Sequence, residues 1–419
     1  MKVCIFEDEK YDQLFPLTYF RPVFGLKCGH TLLWEKVQAS YKGTPLALLC
    51  RDYLGAVVKQ QYPEGISVND LKALQDDDLL MINGKVLLMG DAIPSQGPEE
   101  VGMVNGSVAY VRINKNTAKQ HLTENYLDAI KTLSQKLPVK NVQMTMIDYP
   151  WNLIQNNPKA IYADFKMIGK HGIEGNFHPT AVVFGPPDQV YVAKGAEIHP
   201  FVVLDTHGGP VIIDEGAIIY PYSRIEGPSC IGKKTLVAGA KIREGTSIGP
   251  VCRAGGEIEE SILHGYMNKW HDGFFGHGYA CEWVNFGAMV TNSDLKNNYG
   301  NIKIYNKGIL TDSKDYKMGS FIGDHTKLGI GLLLNTGTVV GTCCNIFTAD
   351  ASMPSKFVPS FSWGSGDKLV DYKLEKVVST CATVMGRRKV TQTPEYAELV
   401  KRVHQESAWE KKVKATSAE

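Results

Sequence analysis

From Ile322 an aliphatic residue returns at every sixth position through Leu328, Leu334, Val340 and Ile346, and an earlier run at Ile213, Ile219, Ile225 and Ile231 keeps the same step. Small residues, Ala217, Ser223, Ser229 and Thr235, stand four places after each anchor of the earlier run. A helix would repeat its apolar residues at 3.6 and a strand at 2, so a strict period of six requires short flat strands stacked in coils, a solenoid. Aliphatic anchors then fill a narrow interior, while Gly and small residues allow tight corners. The repeat predicts coils over residues 175–352. Two polar stretches rich in Gly, Asn or Lys, 264–274 and 292–317, interrupt it. Insertions in a solenoid become loops on one side, often the binding side.

Residues 1–157 follow a different pattern. Apolar runs at 3–6, 46–50, 79–82, 86–89 and 108–113 read as strands, and 32–41 and 118–133 as helices. This alternation predicts an α/β domain with a largely parallel sheet, whose ligands would lie at the carboxyl ends of the strands. At Asn156-Asn157-Pro158 the composition shifts to Gly, Pro and isolated aliphatics, which marks the start of the solenoid region. The expected domains are therefore 1–157, 158–365 and a C-terminal extension, 366–419. In the last of these, Thr393-Pro394 predicts a capped terminal helix that would cover the open end of the solenoid.

The 419 residues suffice for two or three cores, and 43% hydrophobic content fits a globular protein. Lys plus Arg number 45 against 44 Asp plus Glu. No global field therefore favours nucleic acid or an anionic membrane, and an anionic ligand must be held locally. The apolar run at 3–6 meets Glu7-Asp8-Glu9 too soon for a signal peptide or spanning helix, so a cytoplasmic location is expected. The 9 Cys form no C-x-x-C pair and read as reduced core residues, with a single reactive thiol as the alternative.

Leu14-Phe15-Pro16-Leu17-Thr18, Arg21-Pro22-Val23, Lys27-Cys28-Gly29, Glu35-Lys36 and Tyr149-Pro150-Trp151-Asn152-Leu153 follow one another in an order that is informative. Together with the solenoid, they resemble the bifunctional bacterial enzymes that make UDP-N-acetylglucosamine, and most closely a divergent sugar nucleotidyltransferase-like branch of that group. The resemblance implies a Rossmann-like nucleotidyltransferase domain, a left-handed parallel β-helix of hexapeptide repeats and a C-terminal helix. It also implies a homotrimer that uses a sugar phosphate, an NTP and acetyl-CoA or another acyl-CoA.

Nucleotidyl transfer needs cations around the triphosphate and carboxylates that hold a divalent metal, Mg2+ in the family. Arg21, Lys27 and Lys36 are the candidate cations. The family's glycine-rich turn is replaced by Glu7-Asp8-Glu9-Lys10, and in Ile82-Asn83-Gly84-Lys85 a lysine stands in the place of the metal-binding Asp. Lys85 would supply part of the cation's charge. Asp148 and Asp91 remain as candidate metal ligands, or as ordinary strand-end and capping residues.

In the solenoid, Asn268-Lys269-Trp270-His271 followed by Val284-Asn285-Phe286-Gly287-Ala288 resembles the acetyltransferase segment in which a loop His precedes an Asn-x-Gly-Ala turn. His271 takes the place of the catalytic base, a role suited to a side chain that titrates near neutral pH. The Gly287-Ala288 turn would bind the acyl-CoA and its oxyanion. Arg243 matches an arginine that contacts the sugar phosphate, and Lys269, Asn285, Tyr299 and Lys303 are further substrate-binding candidates. Glu259-Glu260 stand where the family has lysines, which suits an acceptor of less negative charge or one with an amine nearby. His264, His271 and His277 lie six to seven residues apart without a Cys or carboxylate at ligand spacing, so zinc is the weaker reading. The expected function is sugar-1-phosphate nucleotidyl transfer with acyl-CoA-dependent amino-sugar N-acylation. The alternatives are acylation alone with a recognition-only N-terminal domain, and a non-enzymatic trimeric scaffold or sugar-nucleotide sensor.

Overall fold

Apolar runs at the N-terminus form a seven-stranded sheet in the computed structural model, which describes residues 1–90, 92–348, 353–366 and 368–413. The strands are β1 (Lys2–Phe6), β2 (Leu46–Leu49), β3 (Ser67–Val68), β4 (Leu79–Asn83), β5 (Glu100–Val104), β6 (Ser107–Ile113) and β7 (Val139–Asn141), in the order β3-β2-β1-β4-β6-β5-β7. Helices α1 (Leu33–Ser40), α2 (Asp52–Gln61), α3 (Leu71–Leu74), α4 (Lys115–His121) and α5 (Tyr126–Lys136) complete this unit, which comprises Met1–Leu14, Phe20–Leu26 and Thr31–Asp148. The sheet is mixed, because β6 runs antiparallel to both β4 and β5.

Two sequence expectations change here. The run at 86–89 contributes only one bridge, Val86 to Met146, because the chain turns at Gly84-Lys85, where Asn83 Oδ1 accepts from the Lys85 amide at 3.0 Å. The helix expected over 118–133 is two helices, since the Asn125 side chain accepts from the Leu127 amide at 2.8 Å and so caps a new start.

The second unit comprises Phe15–Tyr19, Lys27–His30 and Tyr149–Glu419. Helix α6 (Pro150–Ile168) spans the boundary expected at 157/158 and packs Ile161 and Phe165 against Tyr191, Ile212 and Cys230. Parallel coil strands then run from Gly172–Ile173 to Ser362–Ser365. Every hexad anchor named above is buried in one continuous interior cluster, at most 2% exposed. Each such aliphatic side chain contributes about 1.5–3 kcal/mol by leaving water. A regular coil takes 18 residues, as in the pairings of Ile322 with Val340 and Val340 with Val358. Coils stack so closely that a Cβ on Gly249 would stand 1.8 Å from the His264 carbonyl oxygen.

The corners do not all use glycine. Tyr266, Trp283, His325, Cys343 and Phe361 occupy the same corner of successive coils, each with φ between 53° and 63°. Left-handed backbone is costly for such residues, and stacking accompanies it here: the Tyr266 and Trp283 ring centroids lie 4.5 Å apart and those of Trp283 and His325 6.0 Å apart.

The interruption at 264–274 is no insertion. Its residues continue the ladder, with Arg253 paired to Asn268 and Glu257 to Phe274. The second interruption is a true insertion, because 42 residues separate the paired Ala280 and Ile322. It carries the hairpin of Lys303–Asn306 with Ile309–Asp312. After the coils come α7 (Leu374–Gly386), which sequence patterning missed, and α8 (Pro394–Glu406), capped by Thr393 as expected. The terminal segment binds the last coils: Tyr396 meets His325 Nε2 at 2.8 Å, and Glu410 accepts from the Ser360 amide at 2.6 Å.

Candidate functional site

In the first unit the carboxyl ends of β1, β2 and β4 converge on charged side chains. Buried Glu7, just after β1, accepts from the Val23 amide at 2.8 Å and from Arg51 Nε at 2.8 Å. Arg51 in turn lies 4.0 Å over the Tyr11 ring. Beside this pair, the fully buried Lys85 ammonium stands 2.9 Å from Asp8 Oδ2 and 3.1 Å from Asp148 Oδ1. Asn83 holds the arrangement by donating to Asp8 at 3.0 Å and to the Val108 carbonyl at 2.8 Å. Cavities of about 360 and 260 Å³ flank it, the first lined by Asp8, Lys10, Asn83 and Lys131 and the second by Arg51, Asn69 and Asn125.

This donor set does not fit a divalent cation. An ammonium already bridges the two carboxylates, and a second cation a few ångströms away would be repelled by it. Asp91, the other metal candidate, lies outside the described residues. The three expected phosphate cations are all buried. Arg21 is buried and its carbonyl accepts from Arg51 Nη2 at 3.0 Å. Buried Lys36 donates to Thr31 Oγ1 at 3.0 Å. Lys27 belongs to the second unit, where its amide donates to Tyr279 Oη at 3.0 Å and its ammonium to the His30 carbonyl.

In the second unit the coil register assembles a denser group. The Ile242–Ile258 pairing puts Arg243 beside Glu259, and Glu259 pairs with Gly276 on the next coil. The Arg243 guanidinium lies 3.4–3.5 Å from Glu226, Glu244, Glu257 and Glu259. Burial opposes its charge, but Glu259, Glu244 and Glu226 more than compensate and raise its pKa. Both ends of the long insertion are pinned here. Asp294 Oδ2 lies 2.7 Å from His277 Nδ1, and Lys317 Nζ 3.3 Å from Glu259 Oε1.

His277 is buried, which disfavours its charge, but hydrogen bonds to Asp294 and Glu260 hold its pKa up to about 9. Glu259, Glu260 and His277 each bring one oxygen or nitrogen within 4.8 Å of the others. A metal does not fit there, because Arg243 and Lys317 already engage Glu259 and His277 keeps its proton. The three histidines considered together from sequence have separate roles: His264 Nδ1 meets Tyr279 Oη at 2.7 Å, His277 meets Asp294, and His271 is exposed.

His271 lies three residues before the strand Phe274–Gly276, on a turn clamped from inside. Buried Lys269 donates to the carbonyls of Gly255, His271 and Gly273 at 2.9, 3.2 and 2.8 Å. Burial lowers its pKa to about 8 against the opposing charge of Asp272. Lys269 therefore shapes the turn that presents His271. The Gly287 N–H donates to the Leu328 carbonyl at 2.8 Å, and the Ala288 carbonyl accepts from Gly331 at 2.8 Å, so both sit in the inter-coil ladder. Asn285 accepts from Asn268 at 3.0 Å. Tyr299 is 72% exposed and Lys303 opens the insertion hairpin.

Sequence reading missed His277–Asp294 and Asn268–Asn285. Each pair is separated by 17 residues, one coil, a spacing that becomes informative once coil length is known.

Residues 3–172 match the model of a sugar nucleotidyl transferase family. A bifunctional sugar-1-phosphate nucleotidylyltransferase/acetyltransferase of Sulfurisphaera tokodaii is 31% identical over 91 residues, covering 22% of this chain and 23% of that protein. The bifunctional protein GlmU of Anaplasma marginale is 31% identical over 134 residues, 29% of this chain and 30% of its own length. The chain thus spans a quarter to a third of these curated relatives. A UDP-N-acetylglucosamine acyltransferase structure aligns over 56% of this chain and 95% of its own, at 14% identity and a TM-score of 0.24. The β-helix assignment accordingly rests on the strand register itself. Residues 3–172 are thus similar to sugar nucleotidyl transferases, and the chain continues into a parallel β-helix.

Proposed function

We propose that the chain is a cytoplasmic transferase of sugar-nucleotide metabolism, in which the β-helix N-acylates an amino sugar from acetyl-CoA or another acyl-CoA. The observation that carries this is the Arg243–Glu259–His277 network beside the clamped His271 turn. Its carboxylates favour an acceptor with an amine over one presenting only phosphate. The amine nitrogen attacks the thioester carbonyl, a C–N bond forms, the C–S bond breaks and CoA departs as the thiolate, which becomes the thiol when His271 hands on the proton it has taken. His271 takes the proton lost by the nitrogen. A homotrimer and an oxyanion contact near Ala288 belong to the same reading.

For the first unit, nucleotidyl transfer from an NTP to a sugar 1-phosphate is supported by the family match, with the Lys85 ammonium as the local positive charge. A second reading is favoured by the same lysine: the unit binds a nucleotide or sugar for recognition, and only acylation occurs. Assays of pyrophosphate release and CoA release, with glucosamine 1-phosphate, N-acetylglucosamine 1-phosphate and several NTPs, separate the readings. CoA release without pyrophosphate for any NTP leaves the second. Absence of both products refutes the proposal.

A further inference from the structure

A cavity of about 510 Å³ lies between the coil face and the C-terminal end of α7. Arg253, Lys327, Arg387 and Arg388 line it, and among the described residues no acidic side chain does. In a chain of net charge +1 this is a local concentration of positive charge. We propose that this pocket, whose cations are not those of the Arg243 network, binds a nucleoside diphosphate group.

The register explains how the pocket is built. Arg253 pairs with Asn268, Asn268 with Asn285, and Asn285 with Lys327, so the four form one column across successive coils. Neighbouring members are spaced at about 4.8 Å, the strand separation of any sheet. The column therefore presents a cation, two amides and a cation, with Arg387 and Arg388 facing it from the end of α7. The Asn268 Nδ2 to Asn285 Oδ1 bond at 3.0 Å leaves the Asn285 amide hydrogens and the Asn268 carbonyl for a ligand.

Arg388 supplies an independent indication. Its Nε is buried without a hydrogen-bond partner. Burial disfavours its charge, and the nearby Arg253 and Arg387 add repulsion. Several guanidiniums held together without a carboxylate are stabilised by an oxyanion that accepts from more than one of them, which is what a diphosphate offers. Lys327 extends the positive charge along the column, and its ammonium donates to the Trp283 carbonyl at 2.6 Å. The amides between the cations suit the polar edges of a sugar or base. The source of the diphosphate, a uridine nucleotide or coenzyme A, is what the titrations distinguish.

The test is calorimetric titration of the full chain with UDP, CoA and inorganic pyrophosphate, alongside the Arg387→Gln/Arg388→Gln, Lys327→Met and Lys401→Gln variants. Affinity for UDP or CoA should fall by about tenfold or more in the first two variants, as expected for lost charge-assisted contacts. It should be unchanged in Lys401→Gln, an exposed position on α8 that serves as the control, and binding should weaken with added salt. Arg387 and Arg388 follow the last turn of α7, and melting temperature checks that the double variant is folded. Unchanged nucleotide affinity in the folded double variant overturns the proposal. So does binding of pyrophosphate alone, or a change confined to self-association of the chain. Because the readout is binding, it is independent of acyl transfer.

Discussion

The buried His277 imidazolium links the insertion to the coils and gives a quantitative prediction. Burial works against its charge, and the Asp294 and Glu260 hydrogen bonds and charges prevail, so its pKa rises from 6.5 to about 9. Glu259 and Lys317 complete its surroundings, and His277 itself is only 4% exposed, so solvent screens the interaction little. Holding a proton to pH 9 instead of 6.5 corresponds to about 3 kcal/mol of stability. Because the folded value lies above the unfolded one, this contribution is complete below pH 6.5 and is lost as pH rises through about 9. His277→Gln removes the charge while keeping a hydrogen-bond donor. Urea unfolding of both proteins from pH 6 to 9.5 should show the largest stability difference at low pH and a difference that shrinks steadily toward pH 9.5. The imidazole resonance followed by NMR should titrate near 9. A difference independent of pH, or titration near 6.5, would refute the reasoning.

Lys85→Asp replaces the bridging ammonium with a third carboxylate beside Asp8 and Asp148; the variant should be destabilised by about 3 kcal/mol and regain stability with added Mg2+, whereas the parent's melting temperature should not respond to Mg2+. Lys269→Met removes three bonds to carbonyls and should cost about 2–3 kcal/mol in chemical denaturation, with CoA release reduced because the His271 turn loosens. His271→Ala, at an exposed position, should leave the melting temperature within about 1 °C and abolish most CoA release; full activity in this variant refutes the base assignment. Val340→Ala, inside the coil interior, should cost about 2–3 kcal/mol, read from the urea midpoint.

The hexad anchors made the β-helix legible because the interior of a coil accepts only aliphatic side chains, and that constraint repeats with the coil. In the first unit the apolar runs marked β1, β2, β4 and β6, whereas β3, β5, β7 and helix α2 went unread, and local polar bonding prevailed over apolar composition at two places. Asn83 turned the chain before 86–89 could pair along its length, and Asn125 divided one expected helix into two. Helix α7 escaped because it contributes a single buried face of Val377, Cys381 and Met385, with no Pro or capping side chain to mark its start.

The candidate residues were less legible than the scaffold. By itself the sequence determined the coil period and the two-part organisation, since these follow from residue type and spacing along one chain, while the charge reversals at Lys85 and Glu259 were implied by the resemblance to a family. Only the tertiary structure decided what those charges do. Lys85 neutralises Asp8 and Asp148, Lys269 is a clamp beneath His271, and Arg253, Lys327, Arg387 and Arg388 share one pocket. The physical reason is that an ion's role depends on which opposite charges and donors lie within a few ångströms: the first unit brings Lys85 to Asp8 and Asp148, and coil stacking together with α7 brings Arg253, Lys327, Arg387 and Arg388 to one pocket.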